Sequence, residues 1–160
     1  MKKIALIGGL GKVGQILVKL LSNHYNFIII DSVTSDELPV VHADVSIYSS
    51  LHHAIPRDTD IIFDLTACKI NEQNFRREDF ETMQRTYIQG IYNIYELAIK
   101  FGIKKVIYAS SIFVNGFDEK DDQSVSGKKI KTNDYPKPDR IYGAMKLFGE
   151  SIARIYSRQY

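Results

Sequence analysis

The stretch Ile4-Ala5-Leu6-Ile7-Gly8-Gly9-Leu10-Gly11-Lys12-Val13-Gly14 decides the fold of this chain. Four apolar residues read as a buried strand, and Val13, Ile16, Leu17, Leu20 and Leu21 then fall at helical spacing. Between them stand glycines in the pattern G-x-x-G-x-x-G. Glycine there permits a tight turn, lets the backbone approach a pyrophosphate, and lets the helix pack close to the strand. The helix N-terminus offers its unbonded N–H groups to the phosphates. Taken alone, the pattern also fits a plain strand-to-helix turn.

Working outward, strand-like and helix-like stretches alternate. Phe27 to Ile30 is a second apolar run closed by Asp31, and Pro39 to His42 a third, with Asp44 just beyond. A weak helix is expected over Ser46 to Ile55 and a fourth strand over Ile61 to Leu65. A long helix follows from Glu78 to Phe101, its stripe Met83, Tyr87, Ile91, Ile94, Tyr95, Ala98 and Ile99, ended by Gly102. Lys105 to Ala109 is a fifth strand bearing Ser110 and Ser111. Asn115 to Asp139 is one polar excursion. A last helix starts at Tyr142 with the stripe Ala144, Leu147, Phe148, Ile152 and Ile155.

Strands separated by helices predict an α/β fold, a doubly wound parallel sheet of Rossmann-like type, as one domain over residues 1–160. Ligands of such sheets bind beyond the carboxyl ends of the strands. Gly8, Asp31, Asp44, Thr66 and Ser111 all fall at such ends.

Asp31 sharpens the glycine motif. Standing twenty residues beyond Gly11 at the end of the second strand, its carboxylate can accept hydrogen bonds from ribose hydroxyls and repel a 2′-phosphate. NAD is therefore expected over NADP. Asp44 reads equally as an adenine contact or an ordinary loop aspartate. No hydroxyl residue follows Lys12 in the spacing of a P-loop, and the four histidines are isolated or diverge, so neither a P-loop nor a metal centre is expected.

At the other end, Tyr142 and Lys146 are four residues apart and share one helix face. A phenol titrates near pH 10, about three units too high for a base at neutral pH. An ammonium beside it, with a positive nicotinamide, favours the phenolate, which can take a proton from an alcohol as its hydride leaves. Ser111 is placed to orient that alcohol. The alternative is a Tyr–Lys pair on a solvated helix.

Composition excludes other classes. Hydrophobic residues at 44% and charged residues at 25% are those of a globular protein, and a net charge of +2 argues against nucleic acid. The acidic cluster Asp118 to Asp122 and the basic Lys128, Lys129 and Lys131 read as one solvated loop. One cysteine, Cys68, fits a reducing, cytoplasmic setting, and no apolar run is long enough for a membrane span.

With these residues in place the chain resembles the extended short-chain dehydrogenases/reductases of the NAD-dependent epimerase/dehydratase family. The resemblance rests on the Gly8–Gly14 motif, Gly90-Ile91-Tyr92-Asn93-Ile94-Tyr95-Glu96, Val106-Ile107-Tyr108-Ala109-Ser110-Ser111, and Tyr142-Gly143-Ala144-Met145-Lys146 with Gly149-Glu150. Among members it looks most like uronate dehydrogenases, which oxidise hexuronic acids with NAD. The closer likeness is carried by Pro138 to Gly143, Phe148 to Glu150, and Ala153-Arg154.

The resemblance implies Tyr142 as catalytic base and Lys146 as holder of the nicotinamide ribose, lowering the Tyr142 pKa. Ser111 would bind the substrate oxygen. Gly8, Gly11, Lys12, Val13, Gly14 and Asp31 would hold the dinucleotide, with Asp44 and Val45 near adenine and Thr66 and Ala67 on the pyrophosphate side. The implied activity is NAD-dependent oxidation of a CH–OH group in a sugar or sugar acid. The alternatives are a nucleotide-sugar epimerase or dehydratase, and a dinucleotide-binding module without turnover.

Departures from that pattern are Ile112 and Phe113 where uronate enzymes place Asn and His, Tyr87 in place of a frequent asparagine, and Lys69 in place of a small hydroxyl residue. Extended members also continue into a C-terminal substrate-binding part. The expectation is a truncated chain lacking that part, or a homodimer covering the exposed fifth strand.

Overall fold

The structure, a computed structural model, describes residues 1–70, 74–116 and 130–160. Five strands form one wholly parallel sheet in the order β3-β2-β1-β4-β5: β1 Lys2–Ile7, β2 Tyr25–Asp31, β3 Val40–His42, β4 Ile61–Asp64 and β5 Val106–Tyr108. The doubly wound Rossmann-like sheet expected from the apolar runs is thus the observed one. The polar excursion's clusters Asp118–Asp122 and Lys128, Lys129 fall outside the described residues.

The chain runs outward from β1 to β3, then crosses back to β4 beside β1, so the topological switch lies between β1 and β4. Parallel connections are right-handed, so α1 (Lys12–Leu21) covers one face, and α2 (Tyr48–Ala54) and the long helix the other. On the second face Ala5, Ile7, Ile30 and Ile62 interlock with Leu51, Ile94, Leu97 and Ala98 as the main core. On the first face α1 stands with Val13, Ile16 and Leu20 more than half exposed. Its helical period is as expected, but only part of its apolar stripe is buried.

The long helix runs from 77 to 101 without a break: α3 (Arg77–Gln84), a π turn (Arg85–Gln89), and α4 (Gly90–Phe101). Gly102 ends it in the left-handed conformation at φ 70°, which glycine adopts without steric cost. Its expected stripe is buried save Ile99.

The last helix, α5 (Ile141–Gln159), corrects the sequence expectation. Its buried residues are Gly143, Met145, Lys146 and Gly149, whereas Ala144 and Ile155 are exposed. The cause is close packing on glycine. A Cβ at Gly149 would lie 2.4 Å from the Tyr108 ring and one at Gly143 2.2 Å from the Phe113 carbonyl oxygen. The helix therefore seats its smallest residues inward and leaves its larger apolar ones at the rim.

Candidate active site

The glycine turn is built by backbone contact. Gly8 has φ 73°, and its N–H and that of Gly9 donate to the Ile30 carbonyl. A Cβ at Gly14 would stand 2.3 Å from the Gly9 carbonyl oxygen, so only glycine lets α1 start this close to the turn. Gly11 caps the helix without a side chain, and a Cβ there would meet only the Gly8 carbonyl oxygen. The first N–H groups of α1, on Lys12 and Val13, have no carbonyl partner within the helix. The result is an open, electropositive cradle at the switch point.

Asp31 closes the cradle. Its carboxylate accepts the Leu10 N–H at 3.0 Å and the Val33 N–H at 3.3 Å, which brings the end of β2 against the glycine turn. Asp44 is engaged in its own loop, accepting from the Ser46 N–H and hydroxyl, each at 2.8 Å. Val45 is buried, and its carbonyl accepts from the Asn93 side chain at 2.9 Å. Asn93 was not singled out from the sequence; it ties the expected adenine side to α4.

The ends of β4 and β5 meet α5. 

Lys146 is 3% exposed there. Its ammonium donates to the Ala109 carbonyl at 2.9 Å and the Thr66 carbonyl at 3.5 Å. The rings of Tyr108, Tyr87 and Tyr142 surround it, with centroids 4.8, 5.0 and 5.9 Å from Nζ. Burial holds its pKa below the ordinary lysine value, opposed by the charge of Asp64.

Tyr142 packs edge-on against Tyr87 at 5.5 Å and Phe113 at 6.0 Å. Ser111 begins a short 3₁₀ turn, Ile112–Val114, where its hydroxyl oxygen accepts the Phe113 N–H at 3.3 Å. That bond uses an acceptor site and leaves the hydroxyl proton for another partner. Thr66 is half-buried and bonded to Asp64, and Ala67 is exposed.

Three residues that the sequence did not single out for the site belong to this cluster. Tyr87 projects from the π turn and its phenol oxygen accepts the Cys68 N–H at 3.1 Å; burial raises its pKa. Tyr108 on β5 is likewise raised by burial, and its hydroxyl lies 3.4 Å from the Lys146 carbonyl. Asp64, 3% exposed, closes β4 beneath the lysine. A charged residue directly after the apolar Ile61-Ile62-Phe63 run is the signal that marks it.

Beside Tyr142 opens a cleft of about 460 Å³, lined by Ile70, Phe75, Met83, Ile141, Asp139 and Arg140. Its two charged residues pair with each other at 3.3 Å, and the Arg140 guanidinium lies 4.1 Å from the Phe113 ring centroid. Among the described residues no helix is long and apolar enough to cross a membrane, and no group of three or more His, Cys, Asp and Glu is placed to hold a metal.

Known proteins resemble this chain in sequence and in fold. Residues 4–160 match the NAD dependent epimerase/dehydratase family. The Bacillus subtilis (strain 168) protein YtbQ is 34% identical over 98% of this chain and 62% of its own length. A uronate dehydrogenase of Pseudomonas syringae pv. tomato is 27% identical over 99% of this chain and 55% of its own. The structure of a point mutant of a uronate dehydrogenase from Agrobacterium tumefaciens, complexed with NAD, superposes with TM-score 0.82 at 22% identity, over 100% of this chain and 57% of that one. The chain thus spans about three-fifths or less of these relatives. Matched by that family over nearly its whole length, the chain belongs to the NAD dependent epimerase/dehydratase family.

Proposed function

We propose that this chain is the NAD-binding and catalytic portion of an oxidoreductase acting on a CH–OH group of a sugar-type substrate. The observation that carries the proposal is convergence: the glycine cradle with Asp31, and the cluster of Ser111, Tyr142 and Lys146, all lie at the carboxyl ends of one parallel sheet.

The cradle fits a dinucleotide. The N–H groups of Lys12 and Val13 would meet the pyrophosphate, and Asp31 the adenosine ribose, with Asp44 and Val45 toward adenine and Thr66 and Ala67 along the pyrophosphate. NAD, when bound, supplies the hydride acceptor. Tyr142 would take the proton of the substrate hydroxyl, Ser111 would donate its own proton to hold the same oxygen, and Lys146 would favour the phenolate by its charge.

The substrate class is a sugar or sugar acid, and the cleft beside Tyr142 carries one ion pair, Arg140 with Asp139. An epimerase or dehydratase would use the same three residues, and product analysis separates them.

The test is calorimetric titration with NAD and NADP, followed by a screen of neutral sugars and uronates at saturating NAD. Saturable binding that prefers NAD is expected; binding of neither overturns the proposal. Tyr142→Phe is expected to keep NAD binding and cut turnover about a hundred- to ten-thousandfold. Equal turnover in that variant would remove Tyr142 from the mechanism.

A further inference from the structure

Asp64 is a buried carboxylate that the proposed chemistry does not use. It ends β4, and its Oδ1 accepts the Thr66 N–H at 2.9 Å and also the Thr66 hydroxyl. The Thr66 carbonyl in turn accepts from the Lys146 ammonium. On the neighbouring strand, the Ala109 N–H donates to the Asp64 carbonyl at 3.0 Å while the Ala109 carbonyl accepts from Lys146 at 2.9 Å. Both connections between Asp64 and Lys146 therefore run through single residues at the strand ends.

We infer that Asp64 is a positioning residue for Lys146: through Thr66 and Ala109 its buried carboxylate fixes the place and the charge of the lysine ammonium. The inference rests on the reading of Lys146 as a site residue. A plain structural role would be satisfied by the Thr66 bonds alone. Burial works against both charges, raising the Asp64 pKa and lowering that of Lys146. Each charge offsets part of that cost for the other, so removing one must move the titration of its partner.

Among the described residues, groups from several elements face the pair. Lys146 meets Tyr87 from the π turn, Tyr108 from β5, Tyr142 from α5 and Cys68 from the loop after β4. Asp64 is felt by Tyr95 of α4, whose pKa is pushed up to about 12 chiefly by burial, and by Tyr108. Asp64 is the carboxylate among the groups acting on Lys146.

The experiment is an NMR titration of the chain with ¹³C-labelled lysine side chains, the Lys146 signal identified by its loss in Lys146→Met. Asp64→Asn keeps acceptors for the Thr66 N–H and hydroxyl but removes the charge. It is expected to lower the Lys146 titration by about one to two pH units, a ten- to hundredfold loss of proton affinity. Asp64→Ser is a second neutral variant with the same expectation. The reciprocal measurement needs neither: in Lys146→Met, the Asp64 carboxyl should titrate at higher pH than in the wild type. An unchanged Lys146 titration in a folded Asp64 variant, or an unmoved Asp64 in Lys146→Met, overturns the inference. These titrations use neither cofactor nor substrate. NAD affinity measured on the same samples therefore tests the proposed function separately.

Discussion

The cofactor cradle and the lysine cluster sit at the same carboxyl end of the sheet but are made of different material. The cradle is backbone: glycines without side chains, a helix end, and one carboxylate fastened by the Leu10 and Val33 N–H groups. The cluster is mostly side chains, the rings of Tyr87, Tyr108 and Tyr142 from the π turn, β5 and α5, gathered with the Thr66 and Ala109 carbonyls around one ammonium. A site made of backbone tolerates almost no added atom, whereas a site made of side chains spreads its dependence over several partners.

The contrast breaks first at Gly14. Gly14→Ala places a methyl 2.3 Å from a carbonyl oxygen that cannot turn aside, and a cost of about 3 kcal/mol is expected. Urea denaturation checks it; an unchanged midpoint would show that the turn can open without loss. Asp31→Ala should weaken NAD binding by about 2 kcal/mol, as for the loss of charge-assisted hydrogen bonds, and narrow the preference over NADP. Titration of both cofactors reads it. The smallest effect is expected in the cluster. Tyr87→Phe keeps the ring against Tyr142 and Lys146 but removes the acceptor of the Cys68 N–H, costing about 1 kcal/mol in stability. A loss as large as that at Gly14 would erase the contrast.

The same difference explains what was legible in the sequence. The sheet was, because each strand is a short apolar run ended by a polar residue, and the glycine motif and Asp31 lie within a single β-α-β unit. The boundaries of β3 and β5 shifted by a residue or two, as element ends do. The buried face of α5 was not legible: its apolar stripe points to Ala144 and Ile155, and the contacts of Gly143 and Gly149 with Phe113 and Tyr108 depend on distant segments. The acidic end of the Ile61-Ile62-Phe63 run marks Asp64 in the sequence, but its burial depends on distant segments. Tyr142 and Lys146 share one helix and were legible together, but the bonds of Lys146 to two main-chain carbonyls have no local sequence signal.

The π turn at Arg85–Gln89 has a consequence of phase. A π turn holds one residue more than an α turn, and one residue is about 100° of rotation about the helix axis. Met83 and Tyr87 face the site, while Ile91, Ile94 and Leu97 lie buried beyond the turn. The extra residue lets the two halves of one continuous rod keep separate angular settings. The number of residues between 85 and 89 therefore selects which side chain is presented to Lys146, independently of how α4 is seated on the sheet.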